Sequence, residues 1–433
     1  MTLFYIETYG CQMNKAESST LVSLMIEKGF CETKDYQEAD IVIINTCSVR
    51  KTAENRVFGR LGFFKRQKRF RPLDIVVMGC MSQRIGEQLI NSHYGIDFVV
   101  GNFNKEKIPE LLLHKRKGEK GLFIEENTVI FPDPFPEESN PAKAFVTISH
   151  GCNNFCSYCI VPYLRGREVS KNSADIIKDI NRLTSLGVLQ VTLLGQNVNS
   201  YGLDKHDIDF PDLLKMIVKE TDLKWIKFMS SHPKDFSDKL IDVMATEDRV
   251  ASWVHLALQS GSDRILELMN RKYTSGDFKE IVRKLKSSIP EIALTTDIIV
   301  GFPGETDKDF NDTLDMIDFV QFDDAFMYKY NERDNTLAHK EWVDDVPDKE
   351  KVARLSKLID IQRVINHSRR EQRVGKVYEV IPERLSQDGS GKVLGVAREE
   401  FMVLYDGSED DFGKIVNVKT TAANGSSLVG VKV

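Results

Sequence analysis

Long apolar runs are missing from this chain. No segment approaches the roughly 18 consecutive apolar residues that cross a bilayer. The stretch from Met1 to Cys11 has the pattern of a strand and lacks the basic start and apolar core of a signal peptide. We therefore predict a cytoplasmic protein with no membrane partner, in a compartment that keeps thiols reduced.

Basic residues are in deficit, because the formal net charge is −6 at pH 7. This charge excludes a uniformly basic nucleic-acid binder but leaves room for a local basic patch. A content of 41% hydrophobic and 29% charged residues is typical of a globular protein. Because 433 residues exceed what one hydrophobic core organises, we expect two or three domains.

Cysteine is scarce, with seven residues in the chain. An odd number in a reducing compartment argues against a disulfide framework. Metal ligation and packing in the core remain as the two explanations. The cysteines are Cys11, Cys31, Cys47, Cys80, Cys152, Cys156 and Cys159.

Residues 1–120 alternate short apolar runs with stretches of helical periodicity. Runs that are β-branched and apolar on both faces indicate strands of a buried parallel sheet. The predicted strands are Leu3–Ile6, Ile41–Ile44 and Ile75–Met78. The predicted helices are Lys15–Lys28, Ala53–Lys65 and Lys105–His114. This alternation predicts an N-terminal doubly wound α/β domain.

Residues 121–143 are predicted to be a linker, because Phe131–Lys143 contains four prolines that exclude a helix or a central strand. Residues 144–372 repeat the strand–helix alternation, and six units over about 190 residues favour a partial (β/α)6 barrel, since an eightfold barrel needs about 250. The predicted strands are Phe145–Ser149, Gln190–Leu194, Trp225–Met229, Val254–Leu258, Ala293–Val300 and Ala325–Tyr330. The predicted helices are Ser173–Leu186, Asp212–Thr221, Lys234–Met244, Asp277–Ser287, Thr306–Val320 and Asp348–Gln372.

Residues 373–433 differ from the rest, with short apolar strands between turns rich in Gly, Ser and Asp. This pattern predicts a small antiparallel β-barrel at the C-terminus, a fold that often binds oligonucleotides. The predicted strands are Val377–Pro382, Lys392–Ala397, Phe401–Tyr405 and Lys414–Thr420.

A CxxxCxxC loop follows the first predicted strand of the central barrel, with Cys152, Cys156 and Cys159 as its cysteines. Iron–sulfur cubes are usually held by four thiolates, whereas this loop supplies three and no fourth cysteine follows within fifty residues. One iron would then keep open positions, as at a site that binds substrate. A structural zinc site would need a fourth Cys or His nearby. The spacing, with Tyr158 before the third cysteine, resembles the radical S-adenosylmethionine (SAM) superfamily, which implies that SAM binds the open iron of a [4Fe–4S] cluster.

Polar or glycine-rich segments follow several strands of the barrel, where the active sites of such folds gather. Any one of them is as often a turn or a helix cap. Together they predict contacts with SAM or with a substrate base. The candidate residues for SAM are Tyr158, Gln196, Asn197, Ser231 and Gln259.

Cys11, Cys47 and Cys80 lie 36 and 33 residues apart, too far for a local metal motif. Each follows one of the three predicted N-terminal strands. The carboxyl ends of parallel strands share one edge of the sheet, where ligands of α/β folds bind. We therefore predict a second three-cysteine [4Fe–4S] cluster, with three buried core cysteines as the alternative. Cys31 has no such placement and is predicted to be structural.

Two groups of basic residues are candidates for binding an RNA backbone. Lys65–Arg71 has five basic residues in seven with one aromatic residue among them. The second group, Arg369, Arg370 and Arg373, lies where the C-terminal tail begins. Such runs are usually solvated surface, and Glu399, Glu400 and Glu409–Asp411 make the tail less basic. The candidates are Lys65, Arg66, Lys68, Arg69, Arg369, Arg370 and Arg373.

The order of these features resembles the methylthiotransferases over nearly the whole chain. It implies an auxiliary-cluster domain at 1–120, a radical SAM core at 144–372 and an RNA-binding TRAM-like domain at 373–433. The flanks of the cysteines resemble the branch that acts on isopentenyl-adenosine at tRNA position 37. They read YGCQMN, NTCSVR, MGCMSQ and CNNFCSYCIVPYLRGRE. Two departures are Glu332–Asn335, where relatives carry Arg-Pro-Gly, and the weakly basic strand near Lys392–Arg398.

The resemblance implies a reaction that uses two SAM molecules. One SAM would methylate sulfur at the auxiliary cluster, and the other would yield a 5′-deoxyadenosyl radical that takes the hydrogen from carbon 2 of adenine before the methylthio group is transferred. No protein acid or base is assigned. The implied partners are the tRNA anticodon loop, an electron donor such as flavodoxin or ferredoxin, and a sulfur donor, with the enzyme a monomer.

Three alternatives remain open at this point. The substrate of the same reaction would be threonylcarbamoyl-adenosine in tRNA or an aspartate of a ribosomal protein. In the third alternative, the chain is a non-catalytic iron–sulfur protein that binds RNA or transfers electrons.

Overall fold

The computed structural model describes residues 2–48, 51–126, 128–137, 139–205, 208–387 and 389–433, without the side chains of residues 51 and 52. These residues form two compact units. The first unit comprises Met1–Phe135, His150–Asn153 and Cys159–Val169. The second unit comprises Pro136–Ser149, Asn154–Tyr158 and Ser170–Val433. The loop that carries CxxxCxxC therefore contributes residues to both units.

The first unit is built on a parallel sheet of six strands. In sheet order the strands are Cys31–Glu32, Leu3–Thr8, Ile41–Thr46, Asp74–Gly79, Phe98–Val100 and Gly121–Phe123. The chain order reverses between Leu3–Thr8 and Ile41–Thr46, which makes this pair the topological switch point of the sheet.

Helices cover both faces of this sheet, so the predicted doubly wound architecture is confirmed. Because side chains alternate along a strand, Val42 and Ile44 pack in one apolar cluster while Ile41 and Ile43 pack in the other. The helices of this part are Gln12–Glu27, Lys51–Gln67, Cys80–Ile90 and Ile108–Leu113, with a 3₁₀ turn at Lys105–Lys107.

The linker predicted at 121–143 overlaps a strand at each end. Gly121–Phe123 is the last strand of the first sheet, and Asn140–Thr147 is already the first strand of the barrel. Strands of two or three residues show no periodicity, so Gly121–Phe123, Phe98–Val100 and Cys31–Glu32 were not predictable from sequence pattern. Pro136 lies in a two-residue edge strand, a position that proline tolerates.

The second unit contains six parallel strands with helices between them, which confirms the partial (β/α)6 barrel. The first three strands pair with one another, the last three do likewise, and bridges between Ile226 and Val250 and between Ser231 and Leu256 join the two sets. The strands are Asn140–Thr147, Gln190–Leu194, Trp225–Phe228, Trp253–His255, Ala293–Val300 and Asp324–Lys329. The helices are Ser173–Ser185, Phe210–Glu220, Asp238–Thr246, Asp263–Leu268, Ser275–Ser288, Asp307–Val320, Leu337–Glu341 and Asp348–Glu371.

The chain ends in a closed barrel of five strands, as expected for a small β-barrel. Its strands in barrel order are Val377–Leu385, Val393–Ala397, Met402–Asp406, Ser427–Lys432 and Val416–Asn424. Ser427–Lys432 was not predicted, and it closes the barrel by pairing parallel with Met402–Asp406 and antiparallel with Val416–Asn424. One pairing of the barrel is therefore parallel.

The C-terminal barrel packs on the amino-terminal side of the (β/α)6 strands. Lys227 is buried there and forms an ion pair with Glu400, and Lys143 forms one with Glu383. The indole Nε1 of Trp225 donates to Glu379 across 3.3 Å. This leaves the carboxyl ends of the strands free of the C-terminal barrel. Among the described residues, no helix is both long enough and apolar enough to cross a bilayer.

Candidate active site

Three cysteines of the first unit follow three adjacent strands at one edge of the sheet. Two of these strands form the topological switch point, where α/β sheets bind their ligands. Cys47 and Cys80 are buried, whereas Cys11 keeps an exposed surface. Cys11, Cys47 and Cys80 follow, in this order, the strands Leu3–Thr8, Ile41–Thr46 and Asp74–Gly79.

Two of the three cysteines lie at the start of a helix. Cys11 is the N-cap of Gln12–Glu27, and Cys80 is the first residue of Cys80–Ile90. The positive end of a helix dipole favours the thiolate, which is the form that binds metal. Gly79 precedes Cys80 with a φ of +97°, and a Cβ on it would lie 2.5 Å from the carbonyl oxygen of Thr46. Only glycine fits this turn from strand to cysteine.

Three thiols are a donor set that an iron–sulfur cube can take. Among the described residues, no three His, Cys, Asp or Glu side chains lie close enough to share one ion. Each thiolate of a cube binds its own iron, so the ligands can stand further apart. Although part of Cys11 reaches the surface, the protein atoms around its thiol displace water and raise its pKa, Arg165 opposes this rise, and the thiol of Cys80 adds to it. The thiols of Cys11 and Cys80 therefore interact electrostatically across the site.

A buried pair of asparagines holds Cys11 to the neighbouring strand. Asn14 Oδ1 accepts hydrogen bonds from the backbone N and the Sγ of Cys11, each across 3.3 Å. Asn14 Nδ2 donates to Asn45 Oδ1 across 2.9 Å and to the carbonyl oxygen of Thr46 across 3.1 Å. Asn45 Nδ2 returns a hydrogen bond to the carbonyl oxygen of Asn14 across 2.9 Å. This network couples the positions of Cys11 and of the strand that leads to Cys47.

Asn102 connects Cys80 to a segment that follows the CxxxCxxC loop. Its side-chain amide lies 3.7 to 3.8 Å from the Sγ of Cys80, and its Nδ2 donates to the carbonyl oxygen of Leu164 across 2.9 Å. Cys80 also packs with Leu164 and Ile160 in a small apolar cluster. The helix Val161–Arg165 is thereby fixed beside this cysteine.

Arg165 ends that helix and is buried in a group of charges. Its Nη1 donates to Glu17 Oε1 across 2.7 Å and to His150 Nε2 across 3.3 Å, and Lys105 forms an ion pair with the same oxygen of Glu17. Burial alone would lower the pKa of Arg165, but Cys80, Glu17 and Cys11 raise it well above its ordinary value. Burial lowers the pKa of His150 to about 3, with Arg165 and Lys105 contributing, so this imidazole is neutral.

The CxxxCxxC loop begins with a constrained turn. Gly151 has a φ of +84°, and a Cβ on it would lie 2.1 Å from the carbonyl oxygen of Arg167. The backbone N of Cys152 donates to the carbonyl oxygen of Gly166 across 3.2 Å. Cys152 and Cys159 belong to the first unit and Cys156 to the second. The glycine before Cys152 is therefore required by the close approach of the chain at 166–167.

Cys156 accepts a hydrogen bond from a cation that the sequence did not reveal. Arg271 Nη1 lies 3.4 Å from the Sγ of Cys156, and its Nη2 donates to the carbonyl oxygen of Ala257 across 2.6 Å. Burial alone would lower the pKa of Arg271, but Tyr273, Tyr158 and Cys156 raise it well above its ordinary value. A permanently charged donor beside a thiolate fits a residue that binds iron.

The backbone at this end of the barrel adopts left-handed conformations at several residues other than glycine. Ser230 and Gln259, which follow two of the strands, have φ values of 68° and 69°. Phe155 in the loop has a φ of 48°, and its carbonyl oxygen accepts a hydrogen bond from Asn270 across 2.9 Å. Such conformations concentrate at functional sites, where the surrounding structure maintains them.

The five candidate SAM contacts have different surroundings. Asn197 already has partners within the fold, because its Nδ2 donates to Ser200 and Asp235 and its Oδ1 accepts from the backbone of His232, and its contact with SAM stays a prediction. Ser231 is buried, and its Oγ has no partner among the described residues. The other candidates are Tyr158, Gln196 and Gln259. Of these, Tyr158 packs against the apolar cluster that contains Phe302 and Tyr330.

Several basic candidates for RNA are engaged within the protein. Arg373 is buried and donates to Asp323 across 2.7 Å, and Arg369 binds the same carboxylate across 3.2 Å. Lys68 forms an ion pair with Asp97. Each of these three cations is paired with a carboxylate of the protein, and their contact with RNA stays a prediction. The remaining candidates are Lys65, Arg66, Arg69 and Arg370. Of these, Arg66 and Arg69 are exposed.

Sequence reasoning missed the residues that surround the cysteines. Asn14, Asn45 and Arg165 lie inside the motifs around the cysteines. The sequence alone does not distinguish a residue that supports a cysteine from one that is merely adjacent in the chain. Arg271 lies 115 residues from Cys156 and has no local signal. Asn102 likewise reaches Cys80 only through the fold.

Comparison with known proteins identifies two family models along the chain. Residues 3–101 match the model described as uncharacterized protein family UPF0004. Residues 146–317 match the radical SAM superfamily. The radical SAM family implies a [4Fe–4S] cluster and SAM as cofactors, and the CxxxCxxC loop lies inside the matched segment.

Two relatives are similar over nearly the whole chain. A tRNA-2-methylthio-N(6)-dimethylallyladenosine synthase of Treponema denticola is 43% identical over 426 residues, covering 94% of both chains. The synthase of the same name from Clostridium novyi is 44% identical over 435 residues, covering 99% of this chain and 96% of its own.

Solved structures show the same fold at low sequence identity. The radical SAM methyltransferase TsrM of Kitasatospora setae, with cobalamin and a [4Fe–4S] cluster bound, has a TM-score of 0.58 at 15% identity and covers 78% of this chain and 77% of its own. The cobalamin-dependent radical SAM enzyme OxsB has a TM-score of 0.52 at 11% identity, covering 84% and 56%. With its relatives, this chain belongs to the tRNA-2-methylthio-N(6)-dimethylallyladenosine synthase family and is a radical SAM methylthiotransferase.

Proposed function

We propose that the protein adds a methylthio group to carbon 2 of isopentenyl-adenosine at position 37 of tRNA. The observation that carries this proposal is the position of Cys11, Cys47 and Cys80 after three adjacent strands, in a chain that also has the CxxxCxxC loop. One cluster suffices for radical formation, and a second set of three thiols supplies a place for sulfur. The names of the relatives specify the same nucleoside.

In this proposal Cys152, Cys156 and Cys159 hold the cluster that binds SAM. With cluster and SAM bound, reductive cleavage supplies the radical, while a second SAM supplies the methyl group for sulfur at the other cluster. Arg271 stabilises the thiolate of Cys156 through its hydrogen bond. Ser231 and Gln259 lie at the carboxyl ends of strands, where they can contact SAM or the base.

Cys11, Cys47 and Cys80 hold the auxiliary cluster in this proposal. Cys11 and Cys80 lie at helix starts, and the asparagine network sets the spacing between two of the strand ends. Three protein ligands leave one iron open for a sulfur atom that is not part of the chain. Cys31 opens an edge strand at the amino end of the sheet and takes no part.

The tRNA is proposed to bind through its anticodon loop. The target adenine has to leave the stack to reach the site, as in other base-modifying enzymes. The exposed cations Arg66 and Arg69 and the C-terminal barrel are the proposed contacts with the RNA backbone. An external electron donor such as flavodoxin or ferredoxin and a separate sulfur donor complete the proposed reaction, in the cytoplasm and with a monomeric enzyme.

The proposal is tested by nucleoside analysis of tRNA from a deletion strain. We expect the 2-methylthio isopentenyl nucleoside to disappear and the unmodified isopentenyl-adenosine to accumulate. The wild-type gene should restore the modification, and a Cys47→Ala gene should not, whereas a Cys31→Ala gene should restore it as the matched control. Persistence of the 2-methylthio form in the deletion strain contradicts the proposal.

Two alternatives use the same chemistry on a different substrate. Loss of the methylthio group from threonylcarbamoyl-adenosine, or from a ribosomal-protein aspartate, with the isopentenyl nucleoside unchanged would favour them. The alternative of a non-catalytic iron–sulfur protein is excluded by membership of the enzyme family.

A further inference from the structure

The charge group around Arg165 contains buried polar atoms without a hydrogen-bond partner among the described residues, and one of them is a guanidinium nitrogen. The guanidinium Nη2 of Arg165 is buried and has no hydrogen-bond partner among the described residues. Burying a guanidinium N–H group without a hydrogen-bond acceptor costs free energy of folding. An acceptor that is not part of the chain is therefore missing beside Arg165.

The other polar groups nearby do not fill this position. Nη1 of Arg165 already donates to Glu17 and His150. Glu17 Oε2 makes no hydrogen bond with Nη2, since that oxygen also has no partner among the described residues. Because a guanidinium only donates, Nε2 of His150 accepts and its proton lies on Nδ1, which is a second buried donor without a partner.

The neighbours of Arg165 indicate what the missing acceptor is. The thiols of Cys80 and Cys11 are among the groups that interact with its charge. Asn102 links Cys80 to the carbonyl oxygen of Leu164, the residue before Arg165. The unfilled donor therefore belongs to the same site as the strand-end thiols, where the proposed auxiliary cluster carries its open iron.

We propose that Arg165 is a positioning residue for anionic sulfur at the auxiliary cluster, to which its Nη2 donates a hydrogen bond. This inference rests on the proposed function, because it requires a cluster on Cys11, Cys47 and Cys80. The fixed guanidinium holds the sulfur in one direction and favours its anionic form, which is the nucleophile for a methyl group. Glu17 and His150 hold the guanidinium in place through Nη1.

The test uses the full chain with Cys152, Cys156 and Cys159 replaced by alanine, so that only the auxiliary cluster is reconstituted. Inorganic sulfide is added anaerobically, and its binding and the midpoint potential are followed by the electron paramagnetic resonance of the reduced cluster. Arg165→Gln is compared with Arg165→Lys. Arg69→Gln, an exposed arginine of the same unit, is the matched control.

We expect Arg165→Gln to weaken sulfide binding by at least about tenfold, the effect of losing one charge-assisted hydrogen bond. Its midpoint potential should fall, because a nearby positive charge stabilises the reduced cluster. Arg165→Lys should keep most of the potential, since it keeps the charge, but should lose sulfide affinity because an ammonium cannot reproduce the fork of N–H groups.

An Arg165→Gln protein with full iron, unchanged potential and unchanged sulfide affinity overturns the inference and leaves the proposed function standing. If Arg165→Gln does not fold, Arg165→Lys decides by its sulfide affinity alone. Absence of iron from the triple-cysteine background with Arg165 intact overturns the auxiliary cluster itself, and with it both proposals.

Discussion

Arg271 donates a hydrogen bond from Nη1 to the Sγ atom of Cys156 across 3.4 Å, and both residues are buried. Arg271 follows the fourth strand of the (β/α)6 barrel and also binds the carbonyl oxygen of Ala257. The central cysteine of the CxxxCxxC loop is therefore held by a cation from a distant part of the chain.

Replacement of this cation should impair radical formation. We expect Arg271→Gln to lower the yield of 5′-deoxyadenosine by about tenfold or more, because a hydrogen bond to a charged group contributes about 1.5–3 kcal/mol. The yield is measured after anaerobic reconstitution, together with iron content and thermal stability. Arg283→Gln, at a surface-exposed arginine of the same unit, is the control. A folded Arg271→Gln protein with the wild-type yield contradicts this role.

The two cysteine sets should separate in their effects on iron and on SAM. Cys11→Ala should halve the iron content yet leave SAM cleavage intact, whereas Cys156→Ala should abolish cleavage. Both are measured on reconstituted protein by iron analysis and by 5′-deoxyadenosine formation. Cys31→Ala should change neither. If Cys11→Ala stopped cleavage while its site kept its iron, the proposed division between the two clusters would be wrong.

The asparagine network should contribute to stability as well as to cluster loading. Asn14→Ala removes the partner of the buried Asn45, and we expect a loss of about 3 kcal/mol in the free energy of unfolding of the first unit. Urea titration of the metal-free protein measures this loss, and iron analysis of the reconstituted protein should show reduced loading. Asn91→Ala, at an exposed helix end, is the matched control. Equal stability of the two variants would count against the network.

The stability of the first unit should depend on pH through Glu17. Burial alone would raise the pKa of this carboxyl, but Arg165 and Lys105 lower it from 4.5 to about 2. The pKa of Glu17 is thus lower in the folded state than in the unfolded state. The resulting stabilisation of the fold is present above pH 4.5 and is lost as the pH falls through 2. Its size is on the order of 3 kcal/mol.

Glu17→Gln tests this dependence in urea titrations of the metal-free protein. The variant should be less stable than the wild type at pH 6, and the two curves should converge towards pH 2. Glu27→Gln, at an exposed residue of the same helix, is the matched control. A constant difference between wild type and Glu17→Gln from pH 6 to pH 2 would show that the carboxylate does not carry the effect.

The basic residues should divide into those that bind RNA and those that support the fold. We expect Arg66→Gln with Arg69→Gln to weaken tRNA binding and to reduce its dependence on salt by roughly one phosphate contact per residue. Arg373→Gln should lower thermal stability, because it breaks the buried ion pair with Asp323. Filter binding at several salt concentrations separates the two classes. Unchanged affinity of the double variant would exclude this patch.

Most of the fold was predictable because its strands and helices are long enough to show their periods. Gln190–Leu194 and Ala293–Val300 have the same bounds in the prediction and in the structure. The strands Phe98–Val100 and Gly121–Phe123 have three residues each, and such short segments acquire their structure from pairing with a neighbour. The predicted linker overlaps Gly121–Phe123 for the same reason.

The candidate site was predictable only where the residue type itself indicates the chemistry. Cysteines are rare enough for their spacing to carry information, and their placement after strands follows from the βαβ pattern. Asparagine and arginine are common, so Asn102 and Arg271 could be recognised only once the fold brought them to a thiol. The same limit applies to Arg373, whose charge looked available until its partner Asp323 was known.

The first unit includes Cys159–Val169, although this segment is synthesised after all six strands of its sheet. Domains fold from the N-terminus as the chain leaves the ribosome. A nascent chain can thus complete the sheet and present Cys11, Cys47 and Cys80 before Arg165 has emerged. Iron delivered at that stage meets thiols without their cation, so the proposed auxiliary centre is complete only after Cys159–Val169 has also been synthesised.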